Sequence, residues 1–132
     1  MKFMLLQDYG GVSADVPPMT EWTPEEVDAH ITYQKDLNAE LSERGEFVDA
    51  RGLSAPELAK FVVSDGSGPP VVTDGPFPES KELLAGYRII DVESVERAIE
   101  IAAKGSEAPG PGGRPIQQTI EVREVMGAPI TH

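Results

Sequence analysis

The chain has 132 residues and a mass of 14.2 kDa, with 39% hydrophobic and 26% charged residues, which fits a single soluble globular domain able to bury a core unaided. The absence of cysteine removes disulfides, thiolate catalysis and cysteine-type zinc sites. With 23 acidic against 11 basic residues and a net charge of −12, the chain is repelled by phosphate backbones and anionic membrane surfaces, so neither nucleic acid nor membrane is expected as a partner.

Residues 2–7 are almost continuously apolar and are expected to form a first strand. The opening run is too short for a secretory apolar segment and soon meets Asp8, and no run approaches the roughly 20 residues of a membrane span, so a cytoplasmic protein is expected. Thr23-Pro24-Glu25-Glu26 is a helix start: Thr23 is placed to cap, Pro24 sits at the first helical position, and Glu26 completes a capping box. Val27, Ile31, Leu37 and Leu41 give this helix an apolar side, and Gly45 is the expected stop.

Residues 46–53 and 58–63 read as short strands, followed by a hairpin tip, Gly66-Ser67-Gly68-Pro69-Pro70, and the run Val71-Val72-Thr73. After Asp74-Gly75-Pro76-Phe77, residues 84–92 form another strand pattern. Ser94 is placed to cap a second helix with Val95, Ala98, Ile99 and Ala102 as its apolar stripe. The glycine- and proline-rich residues 105–115 are expected to be a mobile loop before a final strand over 116–125. The domain is expected to span residues 1–126, with 127–132 as a tail.

The order strand, helix, several strands, helix, strand predicts an α+β ferredoxin-like plait: an antiparallel sheet with two helices on one face. Phe3 and Leu5 alternate with Met4 and Leu6, and Ile89 with Ile90, so both sheet faces are apolar. A second, identical chain covering the face away from the helices is the expected solution, making the protein a homodimer.

Three polar side chains interrupt the apolar side of the first helix. At about 100° per residue, His30, Gln34 and Asn38 share the sector of Val27, Ile31 and Leu41. They must satisfy one another, reach backbone groups, or line a wet pocket against the sheet. Asp74 precedes Gly-Pro, where it either accepts hydrogen bonds from its own turn or serves as a base beside His30. Asp74 and His30 are therefore the candidate catalytic pair. Gln34, Phe77, Glu79, Lys81, Glu82 and Arg123 are the candidate ligand contacts, with Lys81 and Arg123 suited to an anionic group. Glu79, Lys81 and Glu82 read equally as a surface ion-pair group, and Arg123 as the partner of an acid on the sheet. Two histidines without metal-ligand spacing predict no metal site. Walker, dinucleotide and Gly-x-Ser-x-Gly patterns are absent, and no cofactor is expected.

The block Asp74-Gly75-Pro76-Phe77 with Glu79, Lys81-Glu82 and Gly86-Tyr87 resembles the signature of the DGPF-domain family within the YCII-related proteins. The opening strand, Gly45, Gly52-Leu53, the helix after Ser94 and Glu121-Val122-Arg123 extend the resemblance over most of the chain. It implies a dimeric α/β barrel built from two ferredoxin-like sheets. Some YCII-related proteins are proposed to use a His–Asp pair. Asp74 falls on its aspartate, whereas the histidine position matches Gln34, with His30 one turn earlier. Relatives accompany extracytoplasmic-function sigma factors, which implies a sigma-factor partner acting in trans. Two functions follow as expectations: a small-molecule-binding or regulatory module with a polar pocket near the Asp-Gly-Pro-Phe loop, or an acid–base enzyme (lyase, isomerase or hydrolase-like) using Asp74 with His30.

Overall fold

The computed structural model describes residues 1–8, 16–17, 19–75 and 84–127. Six strands and two α-helices follow in chain order: β1 Lys2–Asp8, α1 Pro24–Glu43, β2 Phe47–Gly52, β3 Lys60–Val63, β4 Val71–Asp74, β5 Leu84–Asp91, α2 Val95–Ser106 and β6 Ile120–Glu124. Four strands form the main sheet in the order β2-β5-β1-β6, with every neighbouring pair antiparallel. This is the ferredoxin-like arrangement that the element order predicts. β3 and β4 instead form a separate two-stranded sheet, inserted between two neighbours of the main one.

α1 begins where the sequence says it should. Glu26 N–H donates to Thr23 Oγ1 at 3.1 Å and Thr23 N–H donates to Glu26 Oε1 at 2.9 Å, closing the capping box. Its end is equally local: Gly45 adopts φ 72°, and the amides of Gly45 and Glu46 donate to the carbonyls of Ser42 and Leu41. A left-handed residue after the helix is what this motif requires, and glycine takes it without a Cβ penalty.

The core lies between the sheet and both helices. Phe3, Leu5, Ile90 and Val92 from the sheet side meet Leu37 and Leu41 of α1 and Ala98, Ile101 and Ala102 of α2. Both helices therefore pack on one face. Met4, Leu6, Tyr87 and Ile89 alternate to the other face and stay half-buried. A smaller cluster of Trp22, Ala108 and Ile116, flanked by Val16, Val27 and Tyr33, closes one end.

The structure corrects several local expectations. Ile31 of α1 is exposed, leaving Leu37 and Leu41 as the buried anchors. The buried stripe of α2 is Ala98, Ile101, Ala102 and Gly105, while Val95 and Ile99 are exposed. Ile101 is the one large side chain of this stripe, flanked by the small Ala98, Ala102 and Gly105. The 3-10 turn Pro56–Leu58 delays the third strand, and the valines of the β3–β4 hairpin (Val62, Val63, Val71 and Val72) are exposed. Residues 105–115 are not a bare loop. Ile116 N–H donates to Ala108 O at 2.8 Å, Gly110 N–H to Arg114 O at 2.7 Å, and Gly112 N–H to Glu26 Oε2 at 2.7 Å. Gln117, at φ 55°, breaks the strand pattern, which is why β6 begins only at Ile120.

Candidate functional site

The sheet-facing polar row of α1 finds its partner on β5. Arg88 has the same parity as Ile90 and Val92, so alternation sends its side chain into the space beneath α1, where it is only 3% exposed. Its Nε–H donates to Asn38 Oδ1 at 2.8 Å, and an Nη2–H donates to Gln34 Oε1 at 2.7 Å. Helical spacing of four makes this possible, because Gln34 and Asn38 stand one turn apart on the same side. A Cβ on Gly105 of α2 would lie 3.5 Å from Nη1, at ordinary contact distance from the guanidinium.

The charge of Arg88 has no carboxylate partner among the described residues. Burial pushes its pKa below the ordinary arginine value, and the nearby Tyr33 phenol opposes that shift only in part. An arginine nonetheless stays protonated, so a fixed positive charge sits beneath α1.

A cleft of about 290 Å³ opens beside this group, between α1 and the β2 side of the sheet. His30, Gln34 and Asn38 line it from the helix, and Gln7, Ala50 and Arg88 line it from the sheet. Its wall also includes Ile31, Lys35 and Arg51. His30 Nδ1 lies 3.0 Å from the carbonyl oxygen of Pro109. A carbonyl only accepts, so the neutral ring carries its proton on Nδ1 and keeps Nε2 as an acceptor. Trp22 packs against the same ring in a T-shaped arrangement, with centroids 5.5 Å apart. Tyr33 donates its hydroxyl to Lys104 O at 2.7 Å, tying α1 to the end of α2, and burial pushes the phenol's pKa up.

His30 and Gln34 thus share a cleft, but Asp74 is not among the residues that line it. Asp74 closes β4, opposite Lys60 of β3, and its carboxylate accepts from the Lys60 ammonium in an exposed ion pair. Hairpin register places Asp74 beside Lys60. The glycine after it has a packing reason, since a Cβ on Gly75 would collide with the ring of Phe61. Arg123 pairs in register with Met4 and so faces away from the helices, where it is 70% exposed and lies 3.7 Å from Glu121. Phe77, Glu79, Lys81 and Glu82 lie outside the described residues.

Sequence reasoning singled out Arg123 and missed Arg88. The signal was present: an arginine at the parity of Ile90 and Val92, opposite a helix with two amides at the right spacing. Among the described residues, no three His, Asp or Glu side chains come together as a metal site would require, and no helix is long and apolar enough to cross a membrane.

An antiparallel β2-β5-β1-β6 sheet, two helices on one face and a polar cleft beneath the first define a small ferredoxin-like α+β domain. The chain belongs to the YCII-related domain family, whose sequence profile matches residues 1–127. It is also similar to an uncharacterized protein of Rhizobium meliloti (strain 1021), with 30% identity over 87 residues, covering 66% of this chain and 69% of that protein.

Proposed function

We propose that this protein is a small-molecule-binding module of the YCII-related type, working as a homodimer, with its site in the cleft between α1 and the sheet. The observation that carries this reading is the sheet-facing polar row of α1. Gln34 and Asn38 hold a buried guanidinium in a fixed position, and the row opens onto about 290 Å³ of space instead of being sealed in the core. That volume is at the small end of ligand pockets. The lining combines convergent polar groups with apolar Ile31 and Ala50, which is the usual composition of a site that orients a small ligand.

Binding is favoured over acid–base catalysis because the expected partner of His30, Asp74, is engaged by Lys60 in the separate hairpin. A thermal-shift screen of small polar metabolites compares the parent with Gln34→Leu and Asp74→Asn. Ligands that raise the parent's melting temperature should lose their effect in Gln34→Leu and keep it in Asp74→Asn. A response that survives Gln34→Leu but disappears in Asp74→Asn would move the site to the hairpin and overturn the reading.

A further inference from the structure

We propose that the cleft takes a small organic carboxylate, whose charge is recognised by Arg88; this names the ligand class for the site proposed above and rests on that reading. The sign of the lining comes first. Among the described residues, the charged side chains that line the cleft are Arg88, Lys35 and Arg51, with no aspartate or glutamate. This holds in a chain that carries 23 acids against 11 bases. A cleft walled by one sign of charge focuses the field toward the opposite ion. Arg51 is partly neutralised by Asp49 at 3.0 Å, so Arg88 and Lys35 carry most of the unmatched charge.

Arg88 is the more telling of the two. A buried cation is ordinarily paired with a carboxylate, because taking it from water without a counterion is costly. Arg88 is 3% exposed, and among the described residues it hydrogen-bonds only to two neutral amide oxygens, which orient it without cancelling its charge. An anionic ligand would supply the missing countercharge. The guanidinium is planar and already immobilised, so little ordering remains when a planar carboxylate meets it. Ile31 and Ala50 offer apolar surface to the rest of such a ligand, and the volume of about 290 Å³ limits it to a small molecule.

The test uses matched pairs: aliphatic and aromatic monocarboxylates, their primary amides as neutral isosteres, and inorganic phosphate, all at constant ionic strength. The chain has one tryptophan, Trp22, packed on His30 at the cleft, so its emission reports occupancy alongside the melting temperature. Carboxylates are expected to bind at least tenfold more tightly than their amides. Lys35→Gln, an exposed position, should weaken the carboxylates about threefold. Arg88→Lys should weaken them more than tenfold. Should that variant fail to fold, the Arg88 Nε–H resonance of the parent gives the same answer, since it must shift on carboxylate addition. Amides binding as well as the acids, or phosphate alone binding, would overturn the carboxylate assignment while leaving the cleft a binding site. If neither acids nor amides bind while other neutral ligands from the screen do, the ligand class fails by itself. If nothing binds, both readings fall.

Discussion

At the scale of single residues, Arg88 concentrates the physics of this domain. Its two hydrogen bonds fix the guanidinium and, at the same time, satisfy Gln34 and Asn38. Removing one member strands the others, because a buried polar group without a partner costs more than its hydrogen bond contributes. Arg88→Met keeps the approximate volume and should destabilise the fold by about 3 kcal/mol. Replacing the whole network with Gln34→Leu, Asn38→Leu and Arg88→Met should recover most of that loss, since well-packed apolar groups often match a buried polar network. Urea unfolding of the single and triple variants measures both. A triple variant as unstable as the sum of its parts would mean that the three side chains act independently. Asp74 is the opposite case: an exposed ion pair of the kind that contributes little, so its neutralisation should barely move the unfolding midpoint.

Between elements, Glu46 is the fastening point. It follows the end of α1 and precedes β2, and its carboxylate accepts from Arg97 of α2 through Nε at 2.9 Å and Nη2 at 2.9 Å, with Arg44 adding a third bond at 3.1 Å. The Arg97 hydrogen bonds hold the Glu46 carboxyl below its ordinary value of 4.5. A depressed carboxyl releases its proton more readily in the folded state than in the unfolded one. Its contribution is therefore complete above about pH 4.5 and fades as the pH falls through the lowered folded value. Glu46→Gln should cost about 2 kcal/mol at neutral pH. It should also flatten the loss of stability as the pH falls below about 4.5, read from urea midpoints. An unchanged acid limb would place the acid sensitivity in other carboxylates.

For the whole molecule, the question is what covers the second face of the main sheet. Met4, Leu6, Tyr87 and Ile89 stand half-buried there, on a face without either helix. A twofold pairing of two such faces, back to back, would complete a two-sheet core. Sedimentation at micromolar concentration should report about twice 14.2 kDa. Ile89→Asp, which places a charge in the middle of that face, should return the mass to one copy with helical content unchanged. A single-copy mass for the parent would remove the dimer from the proposal.

The sequence by itself determined what local physics sets. The capping box at Thr23 and Glu26, the glycine stop at Gly45, the Ser94 cap and the alternation of β1 and β5 each depend on residues within a few positions of one another. Element order then leads to the ferredoxin-like sheet. The polar row His30, Gln34 and Asn38 was also legible, because helical periodicity makes an exception on an apolar face conspicuous. Its partner was not. Arg88 lies 50 residues from Asn38 and 54 from Gln34, and nothing local reveals which strand residue a helix will settle on. The same holds for residues 105–115, whose composition suggested mobility but whose hydrogen bonds to Glu26 and within the segment hold it against the Trp22 cluster. In the hairpin, the register that sets Lys60 opposite Asp74 brings that carboxylate to an ammonium. Tertiary structure decided these three points because each turns on which groups meet across the fold, and the energies that choose between such meetings arise only once the core has brought the chain together.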